Sequence, residues 1–148
     1  MIRKIVICVG FFFFSVGCGE ELVPANKPTV TQAQALCRSV GTGNVNKLHS
    51  VTVRVQDLDG QADLVTAIAI VEASSIEMEK ISIPTEMPLG GCKDPDGICE
   101  VEFRWSRRPD QPQIYCGENG NALQIEFEVA DAAGFKERIF ISTSLQEN

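Results

Sequence analysis

Carboxylates outnumber every other charged side chain in this sequence, with 20 Asp and Glu against 13 Lys and Arg, and three of them invite a metal. Asp57 and Asp59 in "QDLDG" and Asp131 in "VADAAG" stand in turn-forming stretches. Oxygen-only donors brought together from neighbouring loops suit calcium. "DLDGQAD" is not an EF-hand loop, because its glycine falls at the fourth position where that motif needs the sixth. Asp-Gly pairs also form turns with no metal present, so calcium at Asp57, Asp59 and Asp131 stands as an alternative to plain turn chemistry. Nucleophilic catalysis has less to work with. His49 is the single histidine, no GxSxG elbow occurs, and no glycine-rich loop is placed to cradle phosphate. Glu126 and Glu128 share one face of a strand at i, i+2, where a solvated pair supports solubility rather than acid and base. The expectation is therefore a protein that is not an enzyme. A contact surface is better supported: "SRRPDQPQIYCGENGN" holds Arg107, Arg108, Gln113 and Tyr115, and Arg and Tyr are common interface anchors. The plain alternative is a solvated loop whose arginines offset nearby acids. A net charge of −7 argues against nucleic acid as a partner and against direct adsorption to anionic lipid.

The reading of the six cysteines depends on compartment, which the N-terminus addresses. Arg3 and Lys4 precede an apolar run from Ile5 to Val16, and no acid appears before Glu20. A helix over that run reaches roughly 18 Å, short of the ~30 Å hydrocarbon layer. A cleaved export signal over residues 1–17 fits better than a membrane span. In an oxidising compartment Cys37, Cys92, Cys99 and Cys116 then point to two disulfides, with three pairings open. Cys92 and Cys99 enclose "KDPDGI", whose Asp-Pro-Asp-Gly favours a turn that brings the two together. Cys37 with Cys116 follows by elimination. A four-cysteine zinc site lacks the close cysteine pairs of zinc ribbons.

"FFFFSVGCGEE" ends the signal in a small residue followed by Cys18, and here the sequence resembles the bacterial lipoprotein signal with its lipobox. Val16 and Gly17 match that pattern, and Ser15 stands where leucine is usual. The resemblance implies that Cys18 is the lipidated first residue of the mature chain, bearing fatty-acyl chains such as palmitate, and that the bilayer is reached through that anchor. Two or three chains hold stably where one does not, at ~0.8 kcal/mol per buried methylene. Ordinary secretion, with Cys18 structural, is the alternative. Gly19 and Glu20 lack the Asp that, in well-studied enteric families, retains lipoproteins at the inner membrane, so the resemblance favours the outer membrane.

The elements that must carry these residues are strands. Residues 18–28 are acidic, proline-bearing and aperiodic, and read as a tether. From residue 29 to 148 alternation of period two dominates: Val51, Val53 and Val55; Val101, Phe103 and Trp105; Leu123, Ile125, Phe127 and Val129, each with polar residues between. Each is a strand with one face in a core, and Trp105 is expected there. Runs at 29–37, 64–73, 76–83 and 135–144 bring the number to seven. "VTAIAIVEA" is apolar at both parities, as for a strand covered on both faces. "IVEASSIEMEKI" is read as strand, although its spacing also suits a helical stripe. Seven short strands with turns between them predict an all-β, seven-stranded β-sandwich holding two disulfides. Through "VTVRVQDLDG" and "LQIEFEVADAAGFKERIFIS" the chain resembles bacterial immunoglobulin-like or cadherin-like modules.

That strand order gathers Asp57, Asp59, Asp63, Asp94, Asp96 and Asp131 at one end and Arg38, Arg107 and Arg108 at the other. The function expected is a non-catalytic, membrane-anchored envelope module that binds a protein or glycan. A structural or assembly factor of the envelope is the alternative.

Overall fold

Alternation becomes strand where the sequence is most regular. Val51, Val53 and Val55 are fully buried while Thr52, Arg54 and Gln56 stay partly exposed, and Ile125, Phe127 and Val129 repeat the pattern. The computed structural model describes residues 25–40, 45–71, 74–83, 90–111, 113–120 and 123–146. The signal segment, Cys18 and most of the expected tether lie outside them. Eight strands follow in chain order: β1 (Thr29–Ser39), β2 (Asn46–Gln56), β3 (Leu64–Val71), β4 (Ser74–Glu77), β5 (Glu79–Ile83), β6 (Glu100–Ser106), β7 (Gln124–Asp131) and β8 (Lys136–Leu145). No helix occurs among the described residues, so "IVEASSIEMEKI" is strand where described except at Met78.

The expectation of an all-β fold with two disulfides holds, but the seven-stranded, immunoglobulin-like sandwich is corrected. The strands form one nearly closed, barrel-like sheet in the order β4-β3-β7-β8-β1-β2-β6-β5. Two local events produce this. The run expected as one strand over 76–83 breaks at Met78, whose side chain is buried. Before the break β4 pairs with β3, and after it β5 pairs with β6. One short stretch of chain thus supplies both ends of the sheet. The second event is at β1, which pairs antiparallel with β2 along its length and parallel with β8 where Ala35–Cys37 meet Thr143–Leu145. A register shift between Leu36 and Cys37 marks a bulge, which bends a strand and increases its local twist.

The concave faces of the two halves meet in a single core. Val53, Val55, Val101 and Phe103 face Ala69, Ile125, Phe127 and Val129, and the Phe103 and Phe127 rings lie 6.0 Å apart at 49°. Each such side chain removed from water contributes roughly 1.5–3 kcal/mol before conformational entropy is set against it. Trp105 joins this core, as its alternation predicts. Both disulfides form as paired from the sequence, Cys37 with Cys116 and Cys92 with Cys99, at Cα separations of 6.4 and 6.0 Å that suit the bond.

Three readings of detail change. β3 is not covered on both faces: Leu64, Ala69 and Val71 point inward, but Val65, Ile68 and Ile70 are exposed. Ile68 and Ile70 lie in cross-strand rows with Glu128 and Glu126 of β7, so this outer face is wet. Glu102, expected in water, is instead buried beneath Arg54 and Arg104, which both pair with it; two long guanidinium side chains cover it from above. Residues 26–28, read from the sequence as the end of a tether, contact the strands and loops. Pro28 is fully buried, Lys27 pairs with Glu137, and Asn26 donates from its backbone and side chain to Asp59.

Candidate functional site

The charges separate to the two ends of the sheet. At the first end, the loop after β2 is held by backbone bonds to the disulfide-closed segment: Asp57 N–H donates to Cys99 O at 2.8 Å, Gln61 N–H to Ile98 O at 3.0 Å, and Lys93 N–H to Leu58 O at 2.8 Å. The loop after β7 joins them through Ala132 N–H on Asp63 O at 2.8 Å. Gly60 makes the close approach possible. Its φ is +105° and a Cβ there would lie 2.9 Å from Cβ of Asp94, so only glycine fits.

Carboxylate oxygens of Asp57, Asp59 and Asp63 fall within 4.8 Å of one another in this zipped group. Asp57 is fully buried and Asp131 is 2 % exposed. Asp57 Oδ1 accepts from Asp59 N–H at 2.9 Å and Asp131 Oδ1 from Phe135 N–H at 2.8 Å. The Oδ2 atoms of Asp57 and Asp131 are buried with no donor. Burial, and then the neighbouring charges of Asp63, Asp59 and Asp131, raise the Asp57 carboxyl above its ordinary value against the pull of the Asp59 amide. Burial, with Asp131 and Asp59, does the same to Asp63. Asp59 moves the other way, lowered first by Lys93 and then by Asn26. Lys80 reaches the carbonyls of Gln61 and Leu64, and its burial lowers its own pKa. Asp94 is used by the turn itself, accepting from Gln61 and Asp96 N–H groups, and Asp96 is exposed.

The opposite end is cationic. From Arg107 at the close of β6 the chain runs out and returns along β2, where Leu48 N–H donates to Ile114 O at 2.8 Å and Cys116 N–H to Asn46 O at 2.9 Å. The Cys37–Cys116 bridge ties this return to β1. Asn46 Nδ2 holds the following turn through Gly117 O and Glu118 O. Arg108 and Gln111 close the outer turn by exchanging bonds, Arg108 N–H to Gln111 Oε1 and Gln111 N–H to Arg108 O. A hollow of about 360 Å³ opens here, lined by Arg38, Lys47, His49 and Arg107. Arg107 also lines a wider groove of about 770 Å³ with Arg104, Arg108 and Gln111, and the other wall of that groove carries Glu77 and Glu79.

Of the residues expected to contact a partner, Arg107 and Arg108 share that groove, while Gln113 and Tyr115 are exposed beside it. Lys47 Nζ stands 5.5 Å from the centre of the Tyr115 ring, a cation–π distance. Among the described residues, Lys27, Arg54, Lys93, Arg104, Lys136 and Arg138 each have a carboxylate partner. Arg38, Lys47, Arg107 and Arg108 have none, and Arg107 Nε is buried with no acceptor. Sequence reasoning placed Arg38 at this end and Asp63 at the acidic one, but it did not count Arg38 or Lys47 among the contact residues or Asp63 among the calcium ligands. Arg38 could have been found, since it follows Cys37 directly; Lys47 is brought beside it only by the β1–β2 register.

Glu126 and Glu128, considered as an acid–base pair, are ion-paired on the outer face, Glu126 with Arg138 at 3.0 Å and Glu128 with Lys136 at 2.8 Å and with Arg138. Comparison with known protein families, curated proteins and solved structures returns no match to this chain.

Proposed function

We propose that this chain is an exported, lipid-anchored module of the bacterial envelope that binds an anionic protein segment or glycan, without catalysis, at its basic end. One observation carries the reading. Among the described residues, five cations have no carboxylate partner; Lys80 is held by backbone carbonyls, and of the other four, three line one hollow and the fourth the adjoining groove. Unpaired guanidinium groups suit planar carboxylate or sulfate groups through bidentate bonds. A segment fixed by a disulfide and backbone pairing loses little freedom on contact, which favours affinity.

Export and anchoring rest on the lipobox-like ending at Cys18 and agree with two disulfides, which persist in oxidising compartments. An outer-membrane address follows from the residues after Cys18. Asn26 is bound to Asp59 at the acidic end, so a chain anchored at Cys18 enters there and the basic end faces away from the bilayer.

Alanine at Arg107, Arg108 and Tyr115 together tests the reading. Crosslinking in intact cells, with mass spectrometry of the N-terminal peptide and of captured neighbours, is expected to give an acylated Cys18 and a partner lost in the triple variant. Retention on immobilised polyglutamate and on heparin separates the protein from the glycan arm. An unchanged set of neighbours and an unchanged phenotype would turn the assignment to an anchored structural or assembly factor.

A further inference from the structure

At the acidic end the buried atoms are the informative ones. Surface aspartates gather in turns without a metal, and Asp59 and Asp94 have protein donors enough to explain them. Asp57 and Asp131 differ. Each spends one oxygen on a backbone N–H and leaves the other sealed from water with nothing to accept from. A buried carboxylate oxygen without a donor is costly, and two in one loop cluster mark a missing positive group. The two ammonium groups nearby do not fill that place. Lys93 sits on Asp59 Oδ1 at 2.6 Å, and Lys80 donates to backbone carbonyls.

We propose that Asp57, Asp59 and Asp63 form a binding site for one hard divalent cation, calcium, at the end of the sheet opposite the basic hollow, with the buried Asp131 carboxylate beside them adding negative charge. The donors are all oxygen, which excludes the nitrogen and sulfur preferences of zinc and copper. Calcium–oxygen distances of about 2.3–2.6 Å let two ligands of one ion stand up to about 5 Å apart; the oxygens of Asp57, Asp59 and Asp63 meet that limit. Asp59 Oδ2 accepts from Asn26 N–H alone and keeps a lone pair for the ion. Asp59 and Asp63 are only half-buried, which leaves a way in from solvent. Calcium tolerates ligands drawn from separate loops and completes its shell with carbonyls and water, whereas magnesium demands near-ideal octahedral placement.

The geometry also assigns a competitor. Lys93 places an ammonium against one of the ligands, so it weakens the site while the ion is absent and must yield when it enters. Removing Lys93 therefore tightens binding, an effect that a purely structural acidic turn does not produce.

The test uses the oxidised full chain, titrated by calorimetry with calcium and separately with magnesium, with melting followed in each ion and in EDTA. Expected are one calcium per chain, a dissociation constant of about 10⁻⁴ to 10⁻³ M as for extracellular modules, and a melting point raised by several degrees at 10 mM, about 10- to 100-fold above that constant. Asp63→Asn keeps the size and hydrogen-bonding capacity of a half-buried residue, and it is expected to weaken calcium at least tenfold. Lys93→Gln is expected to strengthen it severalfold. Absence of heat and of any melting shift at 10 mM calcium in folded protein overturns the proposal. So does a response that Asp63→Asn and Asp57→Asn leave unchanged. Neither result bears on the partner assigned to the basic end, whose capture is measured separately.

Discussion

Replacing Cys37 and Cys116 together with alanine should cost this protein far more than replacing Cys92 and Cys99. The first bridge joins residues 79 apart in sequence, the second residues 7 apart. Chain-entropy arithmetic for the two closed loops gives about 4.5 kcal/mol for the long bridge and about 2.5 kcal/mol for the short one. The structure sharpens the contrast. The short loop retains three backbone bonds to the neighbouring loop when its bridge is cut. The long bridge is fully buried at both its cysteines and ties the return of residues 114–116 to β1, to which no backbone bond of that return runs among those described. For a domain whose whole stability is about 5–15 kcal/mol, loss of the long bridge removes about 30 % or more. Urea unfolding of the two double variants under matched conditions measures this. With a slope of about 1–3 kcal/mol per molar, the short-bridge variant should lose about 1–2 M in midpoint and the long-bridge variant nearly twice that. Equal midpoints with equal slopes, or a larger loss from the short bridge, would refute the reasoning, because the ordering depends only on loop length and on what else holds each loop.

Phe127 is fully buried against Phe103, so Phe127→Ala should lose about 3–5 kcal/mol, read from the same urea transitions; a loss under 1 kcal/mol would mean that the two halves of the sheet do not share this core. Ile68 and Ile70 look like core in sequence but stand on the wet face of β3, and Ile68→Thr and Ile70→Thr should each change stability by no more than about 0.5 kcal/mol, the range for surface sites. The Glu128 carboxyl is held below its ordinary value first by the Lys136 hydrogen bond and then by that of Arg138. A depressed acid contributes stability above its unfolded pKa and loses it as pH falls through the folded one, so the urea midpoint should fall on acidification and Glu128→Gln should flatten that fall. The site is exposed, so the difference should shrink in 1 M salt; superimposable pH profiles at low salt would count against the ion pair.

The interior was legible because alternation in a strand is a local property. Val51, Val53 and Val55 declare an inward face whatever lies across from them, and so do Ile125, Phe127 and Val129. Cysteine pairing was legible for a related reason: a turn between Cys92 and Cys99 leaves one partner for Cys37. The break at Met78 was not legible, since buried Met78 continues the apolar series of a single strand, and only the two edges competing for that stretch show that it changes neighbours. Ile68 and Ile70 misled because composition states how apolar a strand is, not whether anything is available to cover it. Glu102 misled in the opposite direction, its burial being set by Arg54 on a different strand.

The two poles divide in the same way. That aspartates gather near turns after β2 and β7 follows from Asp-Gly chemistry and strand order alone. Which of their oxygens lack donors depends on how three loops, distant in sequence, zip together around Gly60, and no local pattern encodes that. Arg107 and Arg108 announce themselves in a loop, yet their lack of carboxylate partners is a fact about all the other cations and where the closed sheet places them. Local chemistry is written in neighbouring residues; charge compensation is a sum over the whole folded surface, and only the tertiary structure performs it.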